Sequence, residues 1–334
     1  MKNNKSPGTD GFPADFFKFF WKDLGIFLIK SLNYGFKESC LSITQREGII
    51  ICIPKGNKDR EYVKNWRPIS LLNVTYKIAS ACIANRIKSV LPKIVNKDQT
   101  GFISGRFIGD NTRLIYDVLH YAKSNSEPGL LLLIDFEKAF DTIAWSFKEK
   151  VLEYFNFGVN IKNWISVFYT NIKSSVCCNG YISDWFSIQR GVRQGDPLSP
   201  YIFILCAEIL AIMLRQNIFI KGFKLGEHVV LVSQYADDTS IILDGSKQSF
   251  EYTVFTVLEY AKFSGLNMNF EKTKVVWFGS KAYSETRYLT ELNFIWNPKE
   301  FTILGVNFEI SLEKICEINY ETKLKDIQNI VQLW

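Results

Sequence analysis

The sequence predicts an α+β fold, and three observations carry that reading. Apolar runs and amphipathic helical stretches follow one another without the regular strand–helix–strand alternation of a parallel α/β protein. Residues 129–134 form an unbroken apolar run that stops at Asp135, as a fully buried strand does. Residues 229–232 and 240–243 are two apolar runs flanking the polar tip Ala236-Asp237-Asp238-Thr239, which reads as a β-hairpin.

The other elements follow in chain order. Residues 5–13 are rich in turn formers (Pro7, Gly8, Asp10, Gly11, Pro13) and lead into an aromatic stretch through Trp21, with helical spacing of apolar residues to about Phe36. Residues 48–54 hold four isoleucines, Ile49, Ile50, Ile51 and Ile53, and end in proline, which predicts a short strand. Polar residues 55–65 read as an exposed loop or hairpin tip, and residues 73–90 as a helix with Lys and Arg on one side. A helix is expected from near Thr142, after the 129–134 strand. The apolar stretch 201–214, interrupted by Glu208, is shorter than the ~20 residues that span a bilayer and reads as a buried helix. Residues 274–278 and 302–308 supply further β-like material.

With 47% hydrophobic and 22% charged residues, the 334-residue chain has ample material for a core, which excludes disorder; the length fits about two domains. The net charge of +6 is unevenly spread. Residues 46–113 carry thirteen Lys or Arg against five Asp or Glu, a local +8 that leaves the rest at −2 and suits a phosphate-backbone partner. Seven cysteines form no CxxC pair and no zinc-like spacing, as buried thiols of a reducing compartment do. His120 and His228, the only two histidines, are far apart, which argues against a His-based nucleophile or multi-His metal site. The polar start Met1-Lys2-Asn3-Asn4-Lys5 shows no signal peptide, so the expectation is an intracellular chain with no membrane partner.

Asp135, Asp237 and Asp238 are the candidate chemical groups. Adjacent carboxylates repel, and the dipeptide alone is most simply a polar turn. Two-metal phosphoryl transfer needs a few carboxylates converging on cations ~3.5–4 Å apart, with substrate phosphates and water completing the shell. A strand end beside an acidic hairpin tip supplies that arrangement if the strands are neighbours.

These residues sit in motifs that resemble those of reverse transcriptases. Leu133-Ile134-Asp135-Phe136-Glu137-Lys138-Ala139-Phe140-Asp141 resembles the motif that holds the first metal aspartate, and Tyr235-Ala236-Asp237-Asp238 the Tyr-x-Asp-Asp hairpin carrying the others. Between them, Gly191-Val192-Arg193-Gln194-Gly195-Asp196-Pro197-Leu198-Ser199-Pro200 resembles the loop opening the helix beneath nucleotide and template. Further motifs resemble the enzymes of non-long-terminal-repeat (LINE-type) retrotransposons: Lys5-Ser6-Pro7-Gly8-Thr9-Asp10-Gly11, Asn65-Trp66-Arg67-Pro68-Ile69-Ser70-Leu71-Leu72, and Gln99-Thr100-Gly101-Phe102-Ile103-Ser104-Gly105-Arg106. Ser264-Gly265-Leu266-Asn267-Met268-Asn269-Phe270-Glu271-Lys272-Thr273 resembles the motif after the catalytic hairpin, and Leu304-Gly305 the primer-grip turn.

The resemblance implies a right-hand polymerase of fingers and palm with a truncated thumb, the palm an antiparallel sheet packed on helices. It implies fingers with an amino-terminal extension motif over 1–128 and a palm over 129–297, part of 142–190 being assignable to the fingers. Residues 298–334 would be the primer grip and the start of a truncated thumb. The implied activity is RNA-directed DNA synthesis from dNTPs on an RNA or DNA template with a DNA primer, in retrotransposition. Two Mg²⁺ ions, replaceable by Mn²⁺, are implied on Asp135, Asp237 and Asp238, with the Phe136 carbonyl as a backbone ligand. Phe140 matches the side chain that excludes a ribose 2′-hydroxyl; Gln194 and Gly195 let the backbone approach the nucleotide; Lys55 or Lys58 joins Arg67 on the triphosphate. Lys272 is the implied proton donor to pyrophosphate, and Arg106, Tyr235, Leu304 and Gly305 are implied at template and primer, Arg106 alternatively stabilising the fingers. Endonuclease or RNA-binding domains encoded by the same element are expected partners outside this chain, and a nuclear location is implied. An inactive nucleic-acid-binding remnant and a group II intron maturase-type enzyme are the alternatives.

Overall fold

The computed structural model describes residues 1, 3–56 and 58–332. The chain forms two compact units, each assembled from two separated stretches: Met1–Ile94 with Lys138–Cys206, and Val95–Glu137 with Ala207–Trp334. Residues 333 and 334, the end of the stretch expected to begin a thumb, lie outside the described residues.

In the first unit the isoleucine run forms the strand Glu47–Pro54, which pairs antiparallel with Trp66–Leu72 and parallel with Lys173–Cys178. Its register closes at Pro54 opposite Trp66, so the polar residues 55–65 become the hairpin connection. Pro68, which has no N–H to donate, is accommodated opposite Cys52. The helix Val74–Ile94 buries Val74, Tyr76, Ala79, Ile83, Ala84, Ile87 and Leu91, a three-to-four-residue spacing that turns Arg86, Lys88 and Lys93 to solvent. The helix expected near Thr142 is two: a single turn Ala139–Thr142, and then Trp145–Tyr154.

The second unit is built on a five-stranded sheet in the order Ile295–Trp296, Lys274–Gly279, Pro128–Ile134, Asp238–Leu243, Val232–Tyr235. The run ending at Asp135 is the central strand, antiparallel to both neighbours, with Leu130, Leu131 and Leu132 at most 1% exposed. Ile115, Val118, Leu119 and Ala122 of the helix Ile108–Asn125 share a core with Leu131, Ile242, Val276 and Phe278. Two expected runs divide. His228–Val230 belongs to a separate hairpin with Phe223–Leu225, and the acidic hairpin's first strand is Val232–Tyr235. Residues 302–308 resolve into Glu300–Ile303 and Val306–Glu309, joined by Leu304-Gly305 at φ 50° and 82°. A two-residue loop with both φ positive matches the right-handed strand twist.

The helix Ser199–Gln216 is long and apolar enough by composition to cross a membrane, but most of it is buried in protein, as core helices are. Helices and largely antiparallel sheets mix as α+β requires.

Lys148, in the first unit, is 1% exposed and its Nζ lies 3.4 Å from the centre of the Tyr169 ring and 5.3 Å from that of Trp145. Burial drives its pKa down to about 7, with Glu149 and Cys206 opposing the drop. The unfolded chain therefore holds a proton that the folded chain releases between about 7 and the ordinary 10.5, so this lysine's contribution makes stability rise with pH across that window. Thermal unfolding followed by circular dichroism checks this. Lys148→Met should gain stability over wild type near pH 6 and lose that advantage progressively as pH rises from about 7 toward 10.5, whereas parallel pH profiles would contradict it.

Candidate active site

Asp135 follows directly on the central strand of the second unit, and its backbone is tied on both sides. Its N–H donates to Thr273 Oγ1 (3.3 Å), and its carbonyl accepts from the Asn269 N–H (2.8 Å). Phe136 bridges to Met268, and the Glu137 N–H donates to the Asn267 carbonyl (2.9 Å). Residues 267–273 are thus a brace for the first aspartate, with Thr273 fully buried.

The acidic hairpin closes with Asp238 opposite Tyr235, while Thr239 faces Ile134 across the central strand. One step past that rung, Asp238 reaches the level of Asp135. Ala236 at the tip is 4% exposed and holds φ 55°, a left-handed conformation that costs an alanine roughly 1–2 kcal/mol. Asp238 reaches solvent, yet its pKa is raised to about 6, first because surrounding protein desolvates it and then because Asp237 and Asp135 add negative charge. Lys272 is the nearby counter-charge, its Nζ 3.7 Å from Asp135 Oδ2.

This donor set fits a divalent cation. Hard oxygens gather where their own repulsion penalises ionisation, and a bound cation relieves that penalty. Among the described residues no three Asp, Glu, His or Cys side chains form a complete ligand cluster. Magnesium tolerates this, because it keeps waters and takes one or two carboxylates plus substrate phosphates.

Phe140, Gln194 and Gly195 belong to the first unit, where they line one cavity of about 200 Å³ with Arg193, Asp196, Ser199 and Pro200. The Phe140 ring stacks on Phe203 at 4.4 Å and 12°. Gln194 Nε2 donates to Asp141 Oδ1 (3.1 Å), and the Gln194 carbonyl accepts from the Ser70 N–H (2.8 Å). Gly195 sits at φ 108°, where a Cβ would lie 2.7 Å from the Ser70 carbonyl oxygen, so only glycine fits. Beneath the loop, Arg193 is buried with its guanidinium 4.3 Å from the centre of the Tyr76 ring, and buried Asp196 accepts from Ser199 Oγ (3.1 Å).

The remaining sequence-predicted residues are dispersed. Lys55, Lys58 and Arg67 share one hairpin of the first unit, with Lys55 Nζ donating to the Lys64 carbonyl (3.0 Å) and Arg67 opposite Ile53. Arg106 donates to the carbonyls of Val95 (2.8 Å), Gln99 (2.6 Å) and Asn96, which makes it a clasp of its own loop. Tyr235 has its ring 6.4 Å from that of Phe102. Leu304 and Gly305 occupy the turn of a separate hairpin of the second unit. A cavity of about 850 Å³, lined within residues 282–311, includes none of the predicted residues in its lining. Sequence reasoning missed Thr273, Asp141 and Gln99; their motifs were visible, but no periodicity marks which atom a polar side chain will bond.

The family model described as reverse transcriptase (RNA-dependent DNA polymerase) matches residues 53–308, and the chain belongs to that family. Its relatives are proteins of non-LTR retrotransposons. It is 36% identical over 242 residues to the transposon TX1 uncharacterized 149 kDa protein of Xenopus laevis, covering 72% of this chain and 18% of that protein. It is 25% identical to the Pol polyprotein of the type-2 element R2DM of Drosophila melanogaster, covering 73% and 24%. The RNA-directed DNA polymerase of the jockey element from the same organism is 25% identical, with 79% and 29% covered. The chain therefore spans less than a third of the length of each of these relatives. Telomerase of Candida tropicalis, solved with a fragment of telomeric RNA, shares the fold at TM-score 0.52 and 13% identity, over 88% of this chain and 48% of that one. The apo form aligns at TM-score 0.52 and 14% identity, over 90% and 53%.

The raised Asp238 pKa sets a stability test in chelator. A folded-state value of about 6 against the ordinary 3.8 means the folded chain holds the proton more tightly, so stability is lost as pH rises through that window. Asp238→Asn should raise the melting temperature over wild type near pH 7.5, with the gain fading toward pH ~4. A variant no more stable than wild type at neutral pH would contradict the repulsion.

Proposed function

We propose that this chain is the catalytic core of a retrotransposon RNA-directed DNA polymerase, extending a DNA primer on an RNA template from dNTPs. The observation that carries this reading is the meeting of Asp135, Asp237 and Asp238 on one antiparallel sheet, close enough for Asp237 and Asp135 to add to the desolvation that raises the Asp238 pKa to about 6. Asp135 and Asp237 hold two Mg²⁺, or Mn²⁺ in substitution, with the Phe136 carbonyl and Asp238 as further oxygen donors. Bound there, the ions supply activation of the primer 3′-hydroxyl and charge neutralisation on the departing pyrophosphate.

The chain's own groups orient and protonate. Lys272 Nζ gives a proton to a pyrophosphate oxygen, a role supported by its 3.7 Å approach to Asp135 Oδ2 and its mostly exposed side chain. Phe140 bars a ribose 2′-hydroxyl, and its stacking on Phe203 supports a ring held in place. Gln194 and Gly195 contact the nucleotide across the cavity they share with Phe140. Arg67 with Lys55 or Lys58 binds the triphosphate as planar and point cations do. Tyr235, Leu304 and Gly305 bear on template and primer, whereas the three carbonyl bonds of Arg106 support a scaffolding role over a template contact. The basic segment 46–113 follows phosphates of the hybrid. In this reading residues 1–128 are fingers, 129–297 palm, and 298–334 the primer grip and start of a thumb. The endonuclease and RNA-binding functions belong to other parts of the element's protein, supported by the greater length of the relatives. A nuclear place of action rests on the retrotransposon resemblance alone.

The test is dTTP incorporation on poly(rA)/oligo(dT) with Mg²⁺. Asp237→Ala should lower incorporation by about three orders of magnitude or more. Salt-sensitive hybrid binding without incorporation by wild type would instead favour a non-catalytic binding protein. Phe140→Ala should raise rUTP use relative to dTTP by about tenfold or more at a retained dTTP rate, and an unchanged ratio would remove the gate from Phe140.

A further inference from the structure

We infer that Gln99 is a positioning residue for the catalytic carboxylates: its buried carboxamide grips the Ala236 peptide on both sides and so sets the aim of Asp237. The inference rests on the polymerase reading above.

The strand Val232–Tyr235 is the outer edge of the five-stranded sheet, with backbone groups that need a partner. Residues 98–100 supply one. The Gln234 N–H donates to the Asp98 carbonyl (2.8 Å), the Thr100 N–H donates to the Gln234 carbonyl (2.9 Å), and Gln99 bridges Gln234 in parallel. Asn111, from the helix Ile108–Asn125, reinforces the join through Nδ2 to Ser233 Oγ (2.9 Å) and to the Gln234 carbonyl (3.0 Å).

On this seam Gln99 is wholly buried and uses both ends of its amide. Oε1 accepts from the N–H of Ala236 (2.8 Å) and of Gly101 (2.9 Å), while Nε2 donates to the Ala236 carbonyl (3.3 Å). Ala236 is the residue at φ 55°, where a hairpin normally uses Gly, Asn or Asp. A strained alanine persists only where its surroundings over-determine it, and the two-sided grip does that. The approach is close: a Cβ on Gly101 would lie 2.5 Å from the Ala236 nitrogen. Asp237 follows immediately, so any relaxation of the Ala236 peptide swings its carboxylate. Groups that orient a metal ligand without touching the metal typically change affinity by ~10–100-fold when removed.

The decisive variant is Gln99→Met, which keeps the buried volume and removes all three bonds. Its readouts are Mn²⁺ affinity by electron paramagnetic resonance and the Mg²⁺ concentration giving half-maximal dTTP incorporation, with Asp237→Ala as the reference. The expectation is ~10-fold or greater weakening in both. At saturating metal, kcat should recover toward wild type with the dTTP KM little changed, a pattern that loss of fold does not produce. If Gln99→Met fails to fold, Gly101→Ala, which keeps the Gln99 carboxamide but drives a Cβ against the Ala236 backbone and Gln99 Oε1, carries the same expectation. Wild type that binds Mn²⁺ through Asp237, with folded Gln99→Met binding equally well, overturns this inference alone. Wild type that binds no Mn²⁺ and incorporates no dTTP overturns the polymerase reading, and this inference with it.

Discussion

The juxtaposition of Asp135, Asp237 and Asp238 at one end of the five-stranded sheet is the constraint on which the site in the second unit depends. Burial first and mutual repulsion second raise the Asp238 pKa there. Three like charges at one end of a sheet separate unless the backbone beneath them is too stiff to yield. The stiffness comes from the central strand, whose Leu130, Leu131 and Leu132 are buried from both sides and whose two neighbours are both antiparallel. Each fully buried leucine contributes ~1.5–3 kcal/mol. A pair of unit charges 4 Å apart in water repels by only about 1 kcal/mol, and the tip reaches solvent. Apolar burial therefore wins, and the carboxylates stay together at the cost of a raised Asp238 pKa.

Polar contacts then supply what apolar burial cannot, namely direction. Hydrophobic contact is non-directional and leaves a hairpin tip or a loop free to turn. The structure places buried or part-buried hydrogen bonds there: Thr273 and Asn269 on the backbone of Asp135, Gln99 on Ala236, and Asp141 on Gln194. The buried Arg193 and Asp196 beneath the Gly191–Pro200 motif belong to the same pattern, since such charges add little net stability and are costly to leave unpaired. Their placement under Gln194 and Gly195 ties a polar expense to a fixed loop geometry.

Much of this was readable from residue order alone. The unbroken apolar run before Asp135, the acidic tip between two apolar runs and the lysine-faced helix after Asn73 each encode a face to be buried, and periodicity reports faces. It does not report partners. The run 229–232 read as one strand because apolarity cannot distinguish a segment shared by two ladders, and the division falls at Leu231, whose carbonyl accepts from Ile242. Arg106 stood in a basic segment and was open to a template role; its engagement with three carbonyls of its own loop is invisible to charge counting. Gln99 is one glutamine in a polar stretch, and the peptide it holds lies 137 residues away.

An incomplete ligand set has a consequence for how such a site is controlled. Three carboxylates closed into a full cage would hold a cation at all times and leave substrate phosphates to compete for a satisfied ion. Among the described residues no three Asp, Glu, His or Cys side chains form such a cage, and Lys272 Nζ stands 3.7 Å from Asp135 Oδ2. In the proposed polymerase reading, substrate phosphates would supply the remaining oxygens, and their negative charge would compete with Asp135 for Lys272. Cation binding would then tighten with substrate, which would couple the assembly of the chemistry to the arrival of the nucleotide. Such coupling works only if the carboxylates already point correctly when the phosphates arrive, because a hairpin that had to reorganise would consume the binding energy that should stabilise the transition state. The buried sheet, the backbone bonds on Asp135 and the Gln99 bonds on Ala236 are what hold that direction in this fold.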